Sequence, residues 1–135
     1  MMKKISKENL IIRDSFQLSF SSSEIWCEEL DALNLYTDVV IEKFLKDMIT
    51  IRRPSSPGLI VIHLNETLVG KDLVNVIITE LTKAEHSINK VAFVGLNHTA
   101  KKLMEFALGK ASVSFSYGFH SDYEKAKEWL VPKKR

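Results

Sequence analysis

The stretch HLNETLVGKDLV, residues 63–74, contains the side chains of this sequence that most suggest phosphate chemistry. A phosphate-binding loop needs a glycine-rich turn whose N–H groups point at the phosphates, followed by a lysine and a hydroxyl residue. Gly70 and Lys71 meet part of this pattern, but Asn65 stands where the first glycine should be. Asp72 replaces the hydroxyl residue, and its carboxylate would repel phosphate. The stretch therefore does not predict a nucleotide-phosphate site.

The histidines are the next candidates, either as metal ligands or as acid–base groups. The sequence has four of them, at positions 63, 86, 98 and 120. They lack the short spacings and the cysteine companions of metal sites, so we predict no metal and no cofactor. Two of them follow predicted strands, and the strand ends of an open parallel sheet share one rim where ligands bind. One hypothesis is therefore a ligand rim formed by Asn97, His98, Thr99 and His120.

An enzyme that uses the rim histidines for acid–base chemistry is a more remote hypothesis. The simpler interpretation is that these polar residues lie in loops that face solvent. No nucleophile-elbow motif or paired-acid pattern favours a hydrolase. The sequence therefore favours a protein that is not an enzyme.

Composition and charge restrict the class of protein further. The chain has 135 residues, of which 45% are hydrophobic and 27% charged, as expected for one globular domain. Its net charge of +2 and the lack of a basic stripe with aromatics argue against nucleic acid as a partner. No apolar run approaches the roughly 18 residues of a membrane span. The single cysteine, Cys27, fits a reducing cytoplasm and a place in the core.

The second half of the chain alternates between strand-like and helix-like patterns. Three segments are predicted strands: GLIVIHL (58–64), KVAFVG (90–95) and SVSFSY (112–117), the last at a sheet edge. Three amphipathic segments are predicted helices: 71–88, 98–109 ending at Gly109, and 121–132 with Ser121 and Glu124 in capping-box spacing. This alternation predicts an α/β fold with a mixed, mainly parallel sheet and helices packed against it.

The first half is harder to assign. The segments NLIIR (9–13) and FQLSF (16–20) are predicted strand pieces around a turn at Asp14 and Ser15. SEIWCEEL (23–30) is ambiguous, and we assign it to a strand. Residues 36–51 are a predicted helix that Thr37 caps. Whether residues 1–33 join the sheet or form an appendage stays open.

The order of these elements resembles the STAS domain, the family of sulfate-transporter cytosolic domains and bacterial anti-sigma-factor antagonists. DALNLYTDVVIEKFLKDMI is similar to its first helix entry, and GLIVIHLNETLVGKDLVNVI to its central strand, short loop and second helix. KVAFVGLNHTAKKLMEFALG and SVSFSYGFHSDYEKAKEWL resemble the last two strand–helix pairs, and the ending DYEKAKEWL resembles the SpoIIAA-like branch. We therefore expect a STAS-like domain over residues 10–131, with basic tails at 1–9 and 132–135.

The resemblance implies a non-catalytic, cytoplasmic regulatory module that binds a protein partner, such as a regulatory kinase or a sensor component. In antagonists of this family, a serine in an Asp-Ser-Ser-Gly motif at the second helix is phosphorylated. This chain lacks the motif, and Thr67 is the one hydroxyl of its loop and hence the candidate phospho-acceptor. The expected partner-binding surface is the loop and helix start: Asn65, Glu66, Thr67, Leu68, Val69, Gly70, Lys71 and Asp72.

Two further expectations accompany this surface. Gly70 should supply a permissive backbone conformation at the helix entry, and the chain could form a homodimer. The alternative function is a domain that binds a small molecule, either a lipid or a nucleotide, at the strand-end ligand rim. The grouping of the SpoIIAA-like branch with lipid-binding CRAL-TRIO-like folds favours this alternative.

Overall fold

The computed structural model describes residues 2–132, so Lys133, Lys134 and Arg135 of the expected C-terminal tail lie outside the described residues. Within these residues, five strands and four α-helices follow one another. The strands are β1 (Phe16–Phe20), β2 (Ser23–Glu29), β3 (Leu59–His63), β4 (Lys90–Val94) and β5 (Ser116–His120). The helices are α1 (Thr37–Ile51), α2 (Lys71–Lys83), α3 (His98–Ala111) and α4 (Tyr123–Leu130).

The strands form one mixed sheet in the order β1-β2-β3-β4-β5. The first two strands are antiparallel, and every later pair is parallel. The predicted α/β class is therefore confirmed, and so is the assignment of SEIWCEEL to a strand. The first 33 residues are partly in the sheet, since β1 and β2 belong to it.

The turn predicted at Asp14 and Ser15 is wrong, because residues 10–15 form no strand. The hairpin turn lies instead between β1 and β2, at Ser21 and Ser22, whose φ angles are 48° and 67°. Two consecutive left-handed residues match the twist of a two-residue hairpin, although asparagine and glycine are the usual residues there. Serine is a weak signal for this conformation, which explains the error.

The two faces of the sheet are covered differently. Each parallel crossover is right-handed by default, which places α1, α2 and α3 on the same face. Their core includes the fully buried residues Phe44, Met48, Ile62, Ile77, Phe93 and Met104. The shorter helix α4 covers the other face over Ile25, Cys27, Val61, Ala92 and Val94. Cys27 is fully buried there, as its expected core role requires.

Several element ends differ from their sequence signals. Thr37 is the first residue of α1 and not its cap, since Tyr36 precedes the helix without a capping side-chain bond. The side chain of Asp122, not Ser121, caps α4 by accepting from the Lys125 N–H at 2.9 Å. Helix α3 continues past Gly109 to Ala111, and the edge strand β5 begins only at Ser116.

The described part of the expected N-terminal tail contacts the entry of α1. The Lys7 Nζ atom lies 2.6 Å from a carboxylate oxygen of Asp38. The Tyr36 hydroxyl donates to the Ile5 carbonyl at 2.7 Å. Residues 5–7 therefore pack on the domain and do not extend freely into solvent.

Gly95 directly follows β4 and has a backbone conformation that few other residues adopt. Its φ angle is +88°, and a Cβ atom there would lie 1.9 Å from the Asn65 side-chain oxygen. Both the left-handed backbone and the close approach of Asn65 exclude a side chain. Gly95 therefore fixes the distance between the end of β4 and the loop that follows β3.

We expect Gly95→Ala to lower the free energy of unfolding by about 1–3 kcal/mol, because it adds backbone strain and a clash with Asn65. Chemical denaturation measures the loss. Gly70→Ala is the matched control, since Gly70 has φ −108° and nothing within 4 Å of its virtual Cβ. The control should cost less than about 1 kcal/mol. Equal losses in the two variants would contradict this account of Gly95.

Candidate functional site

The loop after β3 is bound to the segment that follows β2. The backbone N–H of Ala32 donates to the Asn65 carbonyl at 2.7 Å, and that of Asn34 donates to the Glu66 carbonyl at 2.9 Å. The Leu68 N–H donates back to the Asn34 carbonyl at 2.9 Å. The pairing of β2 with β3 therefore continues past the strand ends and holds the loop in place.

Thr67 is the side-chain anchor of this loop. Its hydroxyl donates to the Leu30 carbonyl at 2.6 Å and accepts from the Leu33 N–H at 3.1 Å. The residue is 7% exposed. Since its one hydroxyl hydrogen is engaged, phosphorylation of Thr67 would require the loop to detach first. The predicted phospho-acceptor thus occupies a structural position in the described fold.

The other residues of the expected partner-binding surface fall into two groups. Val69 is buried and Gly70 half-buried, whereas five side chains are exposed: Asn65, Glu66, Leu68, Lys71 and Asp72. The expectation that Gly70 supplies a special backbone conformation is wrong, because φ −108° and ψ −172° are extended values open to any residue. The left-handed residue of the loop is Glu66, with φ 56°.

Three neighbouring depressions lie along this loop, and we call them together the loop groove. Its first part, of about 440 Å³, lies between Leu35, the loop and the turn at Gly95–Asn97. A second part of about 220 Å³ shares Leu68 with the first and reaches Lys71. A third part of about 170 Å³ shares Lys71 with the second and lies between α2 and α3 beside Phe106. The loop groove thus extends from Leu35 to Phe106.

The four residues of the expected ligand rim are not brought into one site. The Asn97 side chain borders the loop groove, but its oxygen caps α3 by accepting from the Ala100 N–H at 2.8 Å. His98 and Thr99 are exposed on the first turn of α3. His120 lies on the opposite face of the sheet, with its ring centroid 5.4 Å from that of Trp129, and burial lowers its pKa.

A polar cluster that sequence reasoning missed lies at the ends of β2 and β3, on the face that α4 covers. We call it the His63 cluster: Glu29, Asp31 and His63, with Arg13 and Tyr123 against it. Glu29 and His63 are direct partners in the parallel register, so their side chains point to the same face. Asp31 follows two residues after Glu29, and Tyr123 is the first residue of α4.

The imidazole of His63 is the centre of this cluster. Its Nδ1 atom lies 3.0 Å from Glu29 Oε2 and 3.7 Å from Asp31 Oδ1. The Tyr123 hydroxyl donates to the other oxygen of Glu29, and an Arg13 nitrogen lies 3.2 Å from Asp31 Oδ2. The three central side chains are 6–13% exposed. Oxygen and nitrogen ligand atoms of these three residues lie within 4.8 Å of one another, a set that can hold a metal ion.

The electrostatics of the His63 cluster differ for its two carboxyl groups. Burial and the neighbouring Glu29 carboxylate raise the pKa of Asp31. Burial would also raise the pKa of Glu29, but the hydrogen bonds with His63 and Tyr123 outweigh it and hold that pKa below its usual range. The negative charge of the pair is therefore concentrated on Glu29.

A second pair of carboxyl groups lies on the other face, between β2 and α1. The Trp26 indole donates to Glu28 Oε1 at 2.9 Å, and Glu28 is fully buried. Burial, followed by the hydrogen bond with Asp47, raises the pKa of Glu28 to about 9. Asp47 keeps the charge, since Lys43 and Ser15 donate to it at 2.8 and 2.9 Å. Glu28 is therefore protonated in the folded protein at neutral pH.

The sequence held weak signals for both clusters. Glu28 and Glu29 precede the last residue of SEIWCEEL, and His63 precedes the last residue of GLIVIHL, so all three lie near the carboxyl end of a predicted strand. Neither their spacing along the chain nor their residue types show that Glu29 faces His63. Only the register between β2 and β3 brings them together.

Comparison with known proteins adds no relative. No family model matches the sequence, and no curated protein or solved structure matches it either. Among residues 2–132, no helix has both the length and the apolar character needed to cross a membrane. The loop groove and the two polar clusters are therefore the features from which a function can be inferred.

We expect Thr67→Val to lower the free energy of unfolding by about 1–3 kcal/mol, because it leaves the Leu30 carbonyl and the Leu33 N–H buried without this partner. Thr67→Ser keeps the hydroxyl and should lose clearly less. Urea denaturation of both variants measures the difference. Equal losses would mean that the methyl group stabilises the loop as much as the hydroxyl does, which would contradict the hydroxyl as its main anchor.

Glu28 should make the folded protein less stable as the pH rises. Its pKa is about 9 when folded and near 4.5 when unfolded, so the folded state binds more protons between these values. The contribution of Glu28 to the free energy of unfolding is complete below pH 4.5. It falls by up to about 1.4 kcal/mol per pH unit as the pH rises to 9. Glu28→Gln should remove this slope, measured by denaturation from pH 5 to 8.

The exposed Glu24 of the same strand provides the control for this experiment. Glu24→Gln removes a formal charge from β2 without removing a buried carboxyl group, so it should keep the wild-type slope. A Glu28→Gln variant whose stability falls with pH as steeply as the wild type would show that Glu28 is ionised in the folded protein.

Proposed function

We propose that this chain is a cytoplasmic, STAS-like regulatory module that binds a partner protein through the loop groove and carries out no catalysis. The sequence resemblance and the element order support the family proposal, together with a mostly parallel five-stranded sheet and four helices. The loop from Asn65 to Asp72 joins β3 to α2, at the position of the regulatory turn in that family.

The observation that carries the proposal is the row of exposed apolar side chains along the loop groove. Leu35 is 49% exposed, Leu68 46% and Phe106 73%. Large exposed apolar side chains along neighbouring depressions are typical of a surface that a partner covers. Exposed polar residues, including Glu66 and Lys71, border them, which is the arrangement of an apolar interface centre with a polar rim.

Regulation in this proposal does not act through a phosphate on the loop. The loop contains no serine, and the Thr67 hydroxyl is engaged in two hydrogen bonds with the segment after β2. A phosphate would also place added negative charge beside Glu66 and Asp72. We therefore propose that the partner recognises the loop in the unmodified state.

The small-molecule alternative has less support from the geometry. Its four residues are divided between the two faces of the sheet, and the Asn97 oxygen is already used as a helix cap. An enzyme that combines His98 with His120 has the same difficulty, because acid–base catalysis needs both groups within reach of one substrate. The loop groove, in contrast, brings side chains of several elements to one surface.

The test compares two charged variants at exposed leucines. Leu68→Glu places a carboxylate in the centre of the loop groove, whereas Leu45→Glu does so on α1, outside it; the two leucines are 46% and 41% exposed. We expect Leu68→Glu to reduce partner recovery in affinity capture at least about tenfold, as loss of a central interface residue does. Leu45→Glu should recover the partner like the wild type, and both should keep the wild-type melting temperature.

Two outcomes would contradict the proposal. Equal recovery with Leu68→Glu and Leu45→Glu would place the partner elsewhere on the molecule. If the wild-type protein captures no partner at a concentration sufficient for micromolar affinity, the proposed interaction does not exist. Gly70→Glu adds a second loop variant, because a side chain at this position meets nothing within 4 Å.

A further inference from the structure

The His63 cluster holds its two carboxylates in an unusual way. Each uses one oxygen for a neighbouring side chain and directs the other at His63. Tyr123 donates to Glu29 Oε1, and Oε2 lies 3.0 Å from His63 Nδ1. Arg13 contacts Asp31 Oδ2, and Oδ1 lies 3.7 Å from the same nitrogen. Two carboxylate oxygens from the end of β2 and one imidazole nitrogen from the end of β3 thus converge on one point.

We propose that Glu29, Asp31 and His63 bind a divalent transition-metal ion, with Zn²⁺ as the best-fitting ion. One imidazole nitrogen and two carboxylate oxygens are ligands that zinc uses in proteins. The hydrogen bond from Tyr123 and the ion pair with Arg13 engage the outer oxygens and orient the inner ones, as such supporting contacts do around metal ligands.

The distances fit four-coordinate geometry. Bonds of roughly 2.0–2.1 Å to a tetrahedral zinc ion place the ligand atoms about 3.3 Å apart. The two distances from His63 Nδ1, 3.0 and 3.7 Å, lie on either side of this value. Small side-chain adjustments would therefore bring all three atoms to bonding distance. Three protein ligands leave a fourth position for water or another small group.

Asp31 Oδ1 supplies an independent observation. This atom is buried and has no hydrogen-bond partner within residues 2–132, although Asp31 is only 5% exposed. Buried polar atoms are nearly always paired, so an unpaired carboxylate oxygen directed at a histidine nitrogen indicates a missing partner. A cation between Asp31 and His63 would supply it.

The competing explanation is an ion-pair cluster that needs no metal. His63 would then be held by its hydrogen bond with Glu29 Oε2, and Arg13 would balance the charge of Asp31. In this case the cluster would bind no cation, and the protein would not gain stability from zinc at micromolar concentration. The two explanations therefore differ in a measurable way.

The metal site and the proposed function are separable. The His63 cluster lies on the face that α4 covers, and the exposed apolar side chains of the loop groove lie along the loop, α2 and α3. Loss of zinc binding would leave the partner-binding proposal untouched, and loss of partner binding would leave the metal proposal untouched.

The first experiment uses the wild-type chain after treatment with a chelator and buffer exchange. Titration with zinc chloride, followed by calorimetry, should show one ion bound per chain, and the melting temperature should rise with zinc concentration. Co²⁺ then serves as a spectroscopic probe, because four-coordinate cobalt absorbs visible light far more strongly than six-coordinate cobalt. A wild-type protein without a zinc-dependent shift would overturn the proposal.

Variants then assign the ion to this cluster. His63→Gln and Asp31→Asn should each reduce zinc affinity at least 100-fold. Tyr123→Phe, which removes only a supporting hydrogen bond, should reduce it about 10–100-fold. The control is His86→Gln, which removes an exposed histidine away from the cluster and should bind zinc like the wild type.

The outcomes remain decisive if one variant fails to fold. Circular dichroism without metal identifies such a variant, and the other two then carry the test. Zinc affinity that is unchanged in every folded cluster variant, or lost equally in His86→Gln, would assign the ion to surface histidines and overturn the proposal. A cobalt spectrum of the six-coordinate type in the wild type would overturn the tetrahedral assignment.

Discussion

The parallel pairing of β2 with β3 is the interaction on which the rest of this structure depends. It places Glu29 opposite His63, and beyond the strand ends it continues through the Asn65–Asp72 loop, where the Thr67 hydroxyl bridges the Leu30 carbonyl and the Leu33 N–H. A slip of one residue would turn every side chain of β3 to the other face. The loop groove and the His63 cluster would then be lost together.

The same pairing explains why two adjacent glutamates behave so differently. Glu28 and Glu29 point to opposite faces of β2, since successive strand residues alternate. Glu28 lies beneath α1, where burial and a neighbouring carboxyl group keep it protonated. Glu29 lies at the entry of α4, where hydrogen bonds with His63 and Tyr123 hold its pKa below its usual range. One strand end thus carries a neutral acid into the larger core and a charged one into a polar cluster.

Much of the fold could be predicted because the signals were local and repeated. The apolar segments of β3 and β4 and the amphipathic pattern of α2 each repeat one signal over several residues. Single-residue signals failed more often. The sequence predicts helix ends at Thr37, Ser121 and Gly109. In the structure, Tyr36 precedes α1, Asp122 caps α4, and α3 ends at Ala111. The turn at Ser21 and Ser22 was missed because serine seldom adopts left-handed angles.

The sequence by itself determined the α/β class, the mainly parallel sheet and the burial of Cys27. These features follow from hydrophobic periodicity, which depends only on residues close together in the chain. Only the tertiary structure decided which polar residues meet. Strand register separates His120 from Asn97, buries the Thr67 hydroxyl, and joins Glu29 and Asp31 to His63, 34 and 32 residues further along the chain. Such contacts depend on the pairing of distant segments, so the spacing of residues within one segment does not predict them.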